Sequence, residues 1–208
     1  MRGLLLKDLL NLTKYMRQLF FIVVMITLLS SVGGSSISFL STYTVLLCVM
    51  IVLSSMSYDD FARWDTYALT MPLSRRTLVA SKYLLGLLMA AVGSVISLML
   101  SCLVGVFSKA AAPDETLLVI GATACICLVL LAVLLPLLYK FGVEKSRMML
   151  LGVLMVPAIG ILLLAKFGFS APSEAVLLAM LIGLPFVALG SLAVSFFISV
   201  AIVTKKEY

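Results

Sequence analysis

The side chains that perform catalysis or bind metal ions are few in this chain of 208 residues. There is no histidine, and the nine Asp and Glu residues fall between long apolar runs instead of within them. Hydrolysis inside a membrane requires a Ser–His pair, paired Asp residues or a metal site, and none of these sets can be assembled here. We therefore expect no catalytic residue and no metal ligand in this chain.

The four cysteines also argue against a metal site. Cys48, Cys102, Cys125 and Cys127 all lie inside apolar stretches. Cys125 and Cys127 are two positions apart, so on a helix they face different directions and cannot share a metal ion. We interpret all four as small apolar packing residues.

The sequence also lacks an obvious means of capturing energy. Ion-coupled carriers keep ionisable groups at bilayer depth, whereas the apolar runs here contain none. The phosphate-binding pattern G-x-x-x-x-G-K-[S/T] is absent as well, so the chain does not bind nucleotide through that motif. If ATP drives this protein, a separate chain must supply the ATPase.

The composition indicates an all-α polytopic membrane protein. Hydrophobic residues make up 63% of the chain and charged residues only 12%, with a mean hydropathy of +1.26, whereas soluble domains are roughly half apolar and about a quarter charged. The net charge of +6 does not indicate a nucleic-acid groove, because the cations flank apolar segments.

Six transmembrane helices are predicted, because each span needs roughly 20 apolar residues. Of the 15 Lys and Arg residues, all but Lys109 and Lys166 fall on one side of these spans, so the positive-inside rule places both termini in the cytoplasm. We treat residues 1–208 as a single transmembrane domain, with a cytoplasmic loop at 58–82 and an outer loop at 166–185. The predicted spans cover residues 19–32, 37–57, 83–107, 116–139, 148–165 and 186–203.

The two ends of the chain have features of their own. Residues 1–18 predict an amphipathic helix in the headgroup plane, with Leu5, Leu9 and Leu12 on its apolar face and Lys7 and Asn11 on the other; the alternative is a cytoplasmic extension of the first span. Near the C-terminus, Gly183-Leu-Pro185 can break a helix. This predicts a short outer or re-entrant helix at 173–183, the alternative being one kinked helix.

A stripe of small residues runs along the predicted third span. Ala90, Ser94, Ser97, Ser101 and Gly105 recur at spacings of three or four, so they share one helix face. Small residues let helix backbones approach closely and bond across an interface. The stripe is a candidate pathway wall or dimer seam, and ordinary packing within the chain is the alternative.

The longest cytoplasmic connection holds the only tryptophan of the chain. Asp59 and Asp60 suit a helix N-terminus, where the dipole favours anions, and Phe61, Trp64 and Tyr67 follow at spacings of three. A short helix with an aromatic face is a good docking element, because aromatic residues dominate binding hot spots. The alternative is an interfacial helix that belongs to an aromatic belt.

The run D-D-F-A-R-W-D-T-Y-A-L-T-M-P-L-S-R-R-T-L-V-A-S-K-Y-L, from Asp59 to Leu84, closely resembles the membrane subunits of ABC-2-type transporters. The resemblance implies a coupling helix in this loop that seats in a groove of a cytoplasmic ATPase, and a homodimer of permeases with two ATPase copies that bind ATP and Mg. The implied ATPase contacts are Asp59, Asp60, Phe61, Arg63, Trp64 and Asp65, with Tyr67 added for its position on the aromatic face.

We therefore expect the permease subunit of an exporter in the plasma membrane of a bacterium. Spans free of charge and bearing hydroxyl stripes suit an amphipathic cargo, a peptide before a lipid or a drug, moved out of the cell or the inner leaflet. The alternative is a non-transport membrane immunity or sensor protein that binds a membrane-active peptide and needs no ATPase.

Overall fold

The computed structural model describes residues 2–33, 37–68, 70, 74–108, 113–166 and 174–205. In this part of the chain helices predominate and no strand occurs, so the all-α prediction is confirmed. Apolar runs in a bilayer adopt helices because only a helix or a closed barrel satisfies every backbone group without water. The helices are α1 (Arg2–Gly33), α2 (Ile37–Phe61), α3 (Trp64–Ala68), α4 (Arg75–Ser108), α5 (Pro113–Phe141), α6 (Val143–Lys166) and α7 (Glu174–Lys205).

Among the described residues, four helices are long and apolar enough to cross a membrane. These segments are Thr42–Phe61, Arg75–Leu103, Thr116–Phe141 and Ala179–Lys205, on α2, α4, α5 and α7. The chain is therefore a multi-pass membrane protein. The other two predicted spans, 19–32 and 148–165, lie on α1 and α6, where many side chains are outside the described part, and they stay predictions.

The bundle is built around α2, α4 and α5, which all contact one another. The remaining long helices lie at the periphery: α1 packs on α2 and α4, α7 on α5 and α4, and α6 on α5 and α2. Branched aliphatic side chains fill the centre, because they interdigitate at high density. The fully buried members of this core include Val45, Val52, Val79, Leu85, Leu131 and Leu135.

The N-terminal segment differs from its prediction. One continuous helix, α1, runs from Arg2 to Gly33, so no separate interfacial helix precedes the first predicted span. Leu4, Asp8 and Leu12 point inward, whereas Leu9, predicted on the same face as Leu12, is 42% exposed. The packing of α1 on α2 and α4 decides which face is buried, and it places a carboxylate there.

The predicted break at Gly183–Pro185 is wrong. Helix α7 continues from Glu174 to Lys205 with Pro185 inside it, which is the single-helix alternative. Proline removes one backbone donor and crowds one carbonyl, but a full break would leave several more groups unsatisfied in an apolar setting. Continuing the helix is therefore the less costly arrangement.

The connection between α5 and α6 is a single residue, Gly142. Its φ of +78° lies in the left-handed region, which glycine adopts without the steric cost that a Cβ brings. The Gly142 amide donates to the carbonyl of Leu138 at 3.0 Å, and the Gly142 carbonyl accepts from the Ser146 amide at 3.2 Å. This reversal sets α6 directly beside the last turn of α2.

Candidate functional site

Four charged side chains from three helices meet at one end of the bundle. Lys7 and Asp8 come from α1, Asp59 from the last turn of α2, and Lys82 from α4. The Lys7 Nζ atom lies 2.6 Å from Asp59 Oδ1 and 3.1 Å from Asp8 Oδ1. The Lys82 Nζ atom lies 2.9 Å from Asp8 Oδ2 and 2.5 Å from Asp59 Oδ2. We call these four residues the ion cluster.

The ion cluster is buried. The exposed fraction of the side chain is 1% for Asp8, 8% for Lys82, 10% for Asp59 and 22% for Lys7. Removing charges from water costs several kcal/mol per ion unless each has a partner. Two cations against two anions make the cluster neutral, and the Ser55 hydroxyl accepts a further hydrogen bond from Lys82 at 2.9 Å.

Two carboxylate oxygens in the cluster still have capacity for hydrogen bonds. Asp8 Oδ1 and Asp59 Oδ2 are buried and accept no well-directed hydrogen bond, although each lies within ion-pair distance of a lysine. The short N···O distances show that the charges are paired. A cavity of about 50 Å³ borders the cluster, which is room for a few water molecules.

Trp64 connects the short helix α3 to the ion cluster. The Lys7 ammonium lies 4.2 Å from the centroid of the Trp64 ring, which is a cation–π contact. The Tyr67 ring is tilted against Trp64, with 5.5 Å between the ring centroids. The single tryptophan is thus held inside the chain on one side, and α3 is attached to α1 through Lys7.

The predicted position of Asp59 and Asp60 at a helix N-terminus is wrong. Both lie in the last turn of α2, which extends to Phe61, and the next helix begins only at Trp64. Arg63 in the intervening turn has a φ of +47°. Acidic side chains are unfavourable at a helix C-terminus, where the helix dipole is negative. The lysines of the ion cluster offset this electrostatic cost for Asp59.

Residues 58–68, which we call the elbow, present their predicted contact residues in different directions. Asp59 faces inward, whereas Phe61 is 86% exposed and Tyr67 is 57% exposed. Asp60 lies at the surface, and its Oδ2 accepts from the Val143 amide at 3.4 Å, which caps the start of α6. Arg63 is exposed. The side chain of Asp65 lies outside the described part.

The small-residue stripe on α4 faces mostly into the chain. Ala90 is 4% exposed, Ser97 0% and Ser101 6%, and the Ser101 hydroxyl donates to the Ser97 carbonyl. Ser94 is partly exposed and donates to the carbonyl of Ala91. These placements favour the packing alternative for Ala90, Ser97 and Ser101, whereas the position of Gly105 relative to its neighbours is outside the described part.

Three residues of the ion cluster, Lys7, Asp8 and Lys82, were not among the predicted site residues. One signal was available, since Asp8 is the only acidic residue before Asp59 and sits among leucines that predict burial. A buried acid needs a cation beside it. Which lysine supplies the cation is a matter of tertiary packing, because Asp8 and Lys82 are 74 residues apart.

A second polar network joins α4 to α7 deeper in the bundle. The Tyr83 hydroxyl lies 2.6 Å from Ser195 Oγ and 2.8 Å from Ser199 Oγ, and Ser195 donates to the carbonyl of Ala132 on α5. Such interhelical bonds hold membrane helices together. Within the described ranges, no three His, Cys, Asp or Glu side chains are grouped so that they could hold a metal ion.

Comparison with known proteins finds one family. A family model described as an ABC-2 family transporter protein matches residues 3–204, which is nearly the whole chain. No curated protein and no solved structure matches the chain.

Proposed function

The chain belongs to the ABC-2 transporter family, and we propose that it is the permease of an exporter for an amphipathic substrate, with a peptide favoured. Members of this family are membrane subunits of ABC transporters that are not catalytic themselves and that work with an ATP-binding subunit. In our proposal two copies of the permease associate with two ATPases, which bind ATP and Mg²⁺. The substrate leaves the cell or the inner leaflet.

The elbow is the proposed docking element for the ATPase. The observation that carries this assignment is Phe61, an aromatic side chain that is 86% exposed on a segment tied to a buried ion cluster. Exposed aromatic side chains on a rigid support form binding hot spots at low entropic cost. Tyr67 is a second exposed aromatic side chain of the elbow, and Arg63 is an exposed cation there.

The contacts beneath the elbow suggest how movement of the ATPase reaches the membrane helices. Trp64 on α3 contacts Lys7 on α1, and Lys7 is paired with Asp59 on α2. Asp59 is paired in turn with Lys82 on α4. A push on α3 is therefore delivered to three helices at once, and such a network supports a two-state element whose balance nucleotide binding shifts.

The packed interior supports a pathway at the surface of the chain. Aliphatic side chains fill the space between α2, α4 and α5, so we place the substrate pathway between two copies of the permease. The outward faces of α4 and α7 are apolar, with Met99 at 64% and Phe197 at 72% exposure. Such faces suit an amphipathic cargo better than a strongly charged one.

The test is the amount of ATPase, and of ATP hydrolysis, that purifies with the permease from its own cells in mild detergent. The unchanged permease should carry a stoichiometric amount of ATPase. The Phe61→Ala plus Tyr67→Ala variant should lose the bound ATPase, because hot-spot truncation costs about 2 kcal/mol or more, roughly 30-fold in affinity. The matched control is Phe21→Ala on α1, which removes an aromatic ring with 62% exposure away from the elbow and should leave the complex intact.

An unchanged amount of bound ATPase in the Phe61→Ala plus Tyr67→Ala variant would overturn the docking assignment. A permease that purifies without any ATPase, yet still binds a membrane-active peptide, would instead support the immunity or sensor alternative.

A further inference from the structure

A groove of about 750 Å³ lies between the C-terminal halves of α5 and α7. Its volume is within the range of roughly 300–1,000 Å³ that small-molecule sites occupy. Its apolar walls include Val133 and Pro136 on α5 and Ile198 and Ile202 on α7. Lys140 and Lys205 also line it, near the helix ends. We call it the α5–α7 groove.

The groove has the length and orientation of a lipid site. Val133 and Lys140 are seven residues apart on one helix, a rise of about 10 Å, which is most of the depth of one leaflet of the hydrocarbon core. The lysines therefore stand at the end of the groove where the headgroups lie, and the apolar walls extend toward the bilayer centre. An acyl chain would make apolar contacts with these walls, whereas a small soluble anion would make none.

The two lysines create an unbalanced charge at this end of the groove. No acidic side chain lines the groove among the described residues, so the charge of the two lysines has no counter-charge within it. The Lys140 ammonium lies 5.1 Å from the centroid of the Phe141 ring, a neutral neighbour. An anion bound at this end of the groove would supply that counter-charge.

The ends of α5 and α7 have other partners for their carbonyl groups. Arg75 donates to the carbonyls of Val203 and Thr204 at 2.9 and 2.8 Å, and the Gly142 amide donates to the carbonyl of Leu138. Helix C-termini favour basic residues partly because these carbonyls lack partners. Because Arg75 and the Gly142 amide already bond some of these carbonyls, Lys140 and Lys205 are suited to bind an external anion.

We propose that the α5–α7 groove binds an anionic phospholipid, with its phosphate between Lys140 and Lys205 and an acyl chain against Ile198 and Val133. The binding is independent of the proposed transport function, because it requires neither an ATPase nor a substrate. It gives the permease a preference for anionic lipid at one defined position on its surface.

The experiment is native mass spectrometry of the full chain released from vesicles of equal parts phosphatidylglycerol and phosphatidylcholine. The unchanged protein should retain phosphatidylglycerol in excess. Each lysine near an anionic lipid contributes about fivefold in affinity, so Lys140→Gln plus Lys205→Gln should lower the excess by roughly 25-fold. The matched control is Arg76→Gln plus Lys145→Gln, which removes two exposed cations outside the groove on the same predicted side of the membrane and should keep the excess.

The apolar part of the groove is tested separately. Ile198→Trp should fill the groove and displace both lipids, whereas Leu151→Trp, at an exposed apolar position of α6 outside the groove, should retain phosphatidylglycerol like the unchanged protein. Both variants keep every charge of the chain, so any difference between them reports the acyl-chain contact.

Two outcomes would overturn the proposal. Equal losses in the groove variant and in the Arg76→Gln plus Lys145→Gln control would mean diffuse attraction to surface charge. Displacement of the bound species by inorganic phosphate would mean a site for a soluble anion instead of a lipid.

Discussion

Lys82 and Asp8 are buried side chains of opposite charge that pair with each other at 2.9 Å. Asp8 is 1% exposed and Lys82 8%, and each depends on the other and on Lys7 and Asp59 for neutrality. A buried ion pair contributes little net stability compared with apolar packing, but removal of one member leaves an uncompensated charge. The ion cluster therefore makes the positions of α1, α2 and α4 mutually dependent.

Replacing Lys82 with Met should destabilise the protein by roughly 3–5 kcal/mol, because two buried carboxylates would then share one lysine. Lys7→Met should lower the stability by less, because Lys7 is 22% exposed and water can screen the carboxylate charge that it leaves unbalanced. Unfolding in a titration with sodium dodecyl sulfate, followed by circular dichroism, measures both.

The control for this prediction is Arg76→Met, which removes an exposed cation from the same helix. Adding Asp8→Asn to Lys82→Met should recover part of the loss, by roughly 0.5–3 kcal/mol, because the cluster becomes neutral again. Strict additivity of the two substitutions would contradict the pairing of Asp8 with Lys82.

Between elements, α2 and α4 approach each other closely at Gly93. A Cβ atom at this position would lie 2.8 Å from the Cβ of Cys48 and 3.3 Å from the Cα of Val45. Absence of a side chain lets the two backbones pack closely, which is how membrane helices gain van der Waals contact. Cys48 is accordingly a packing residue against a glycine.

Gly93→Ala should therefore push α2 and α4 apart and cost roughly 1–3 kcal/mol. Gly86→Ala is the matched control on the same helix, because its new Cβ would lie 2.9 Å from Leu131 Cδ1, the end of a side chain that can rotate away. The same detergent titration should show Gly93→Ala to be clearly less stable than Gly86→Ala. Equal stabilities would refute the close approach.

At the scale of the whole molecule, contacts between helix ends gather at one end of the bundle. The ion cluster joins the start of α1 to the end of α2 and the start of α4, Asp60 joins the end of α2 to the start of α6, and Arg75 joins the start of α4 to the end of α7. The long helices thus alternate in direction, and the first and last described turns of the chain lie at the same end of the bundle.

We predict that this end is cytoplasmic. In a variant with its four cysteines replaced by Ala, an impermeant maleimide should label Lys166→Cys in intact cells but Glu144→Cys only after permeabilisation. The physical reason is the positive-inside rule, since all but Lys109 and Lys166 of the 15 cations fall on the Glu144 side of the predicted spans. Labelling of Glu144→Cys in intact cells would reverse the orientation.

Much of the architecture could be predicted because it depends on local properties of the chain. Whether a segment crosses a bilayer depends on the length of its apolar run, and each of the four crossing helices overlaps one predicted span. The motif from Asp59 to Leu84 was likewise enough to predict the family. The position of the elbow between two crossing helices also follows from this order along the chain.

The tertiary structure alone decided which polar groups meet. Apolar periodicity places Asp8 on a helix but does not say that its face turns toward Lys82, 74 residues away. Rotation of each helix about its axis depends on packing against its neighbours, and the same packing turns Asp59 inward while Phe61 stays exposed. Similarly, Pro185 permits either a break or a continuous helix, and the balance of backbone hydrogen bonds in an apolar setting selects the continuous one.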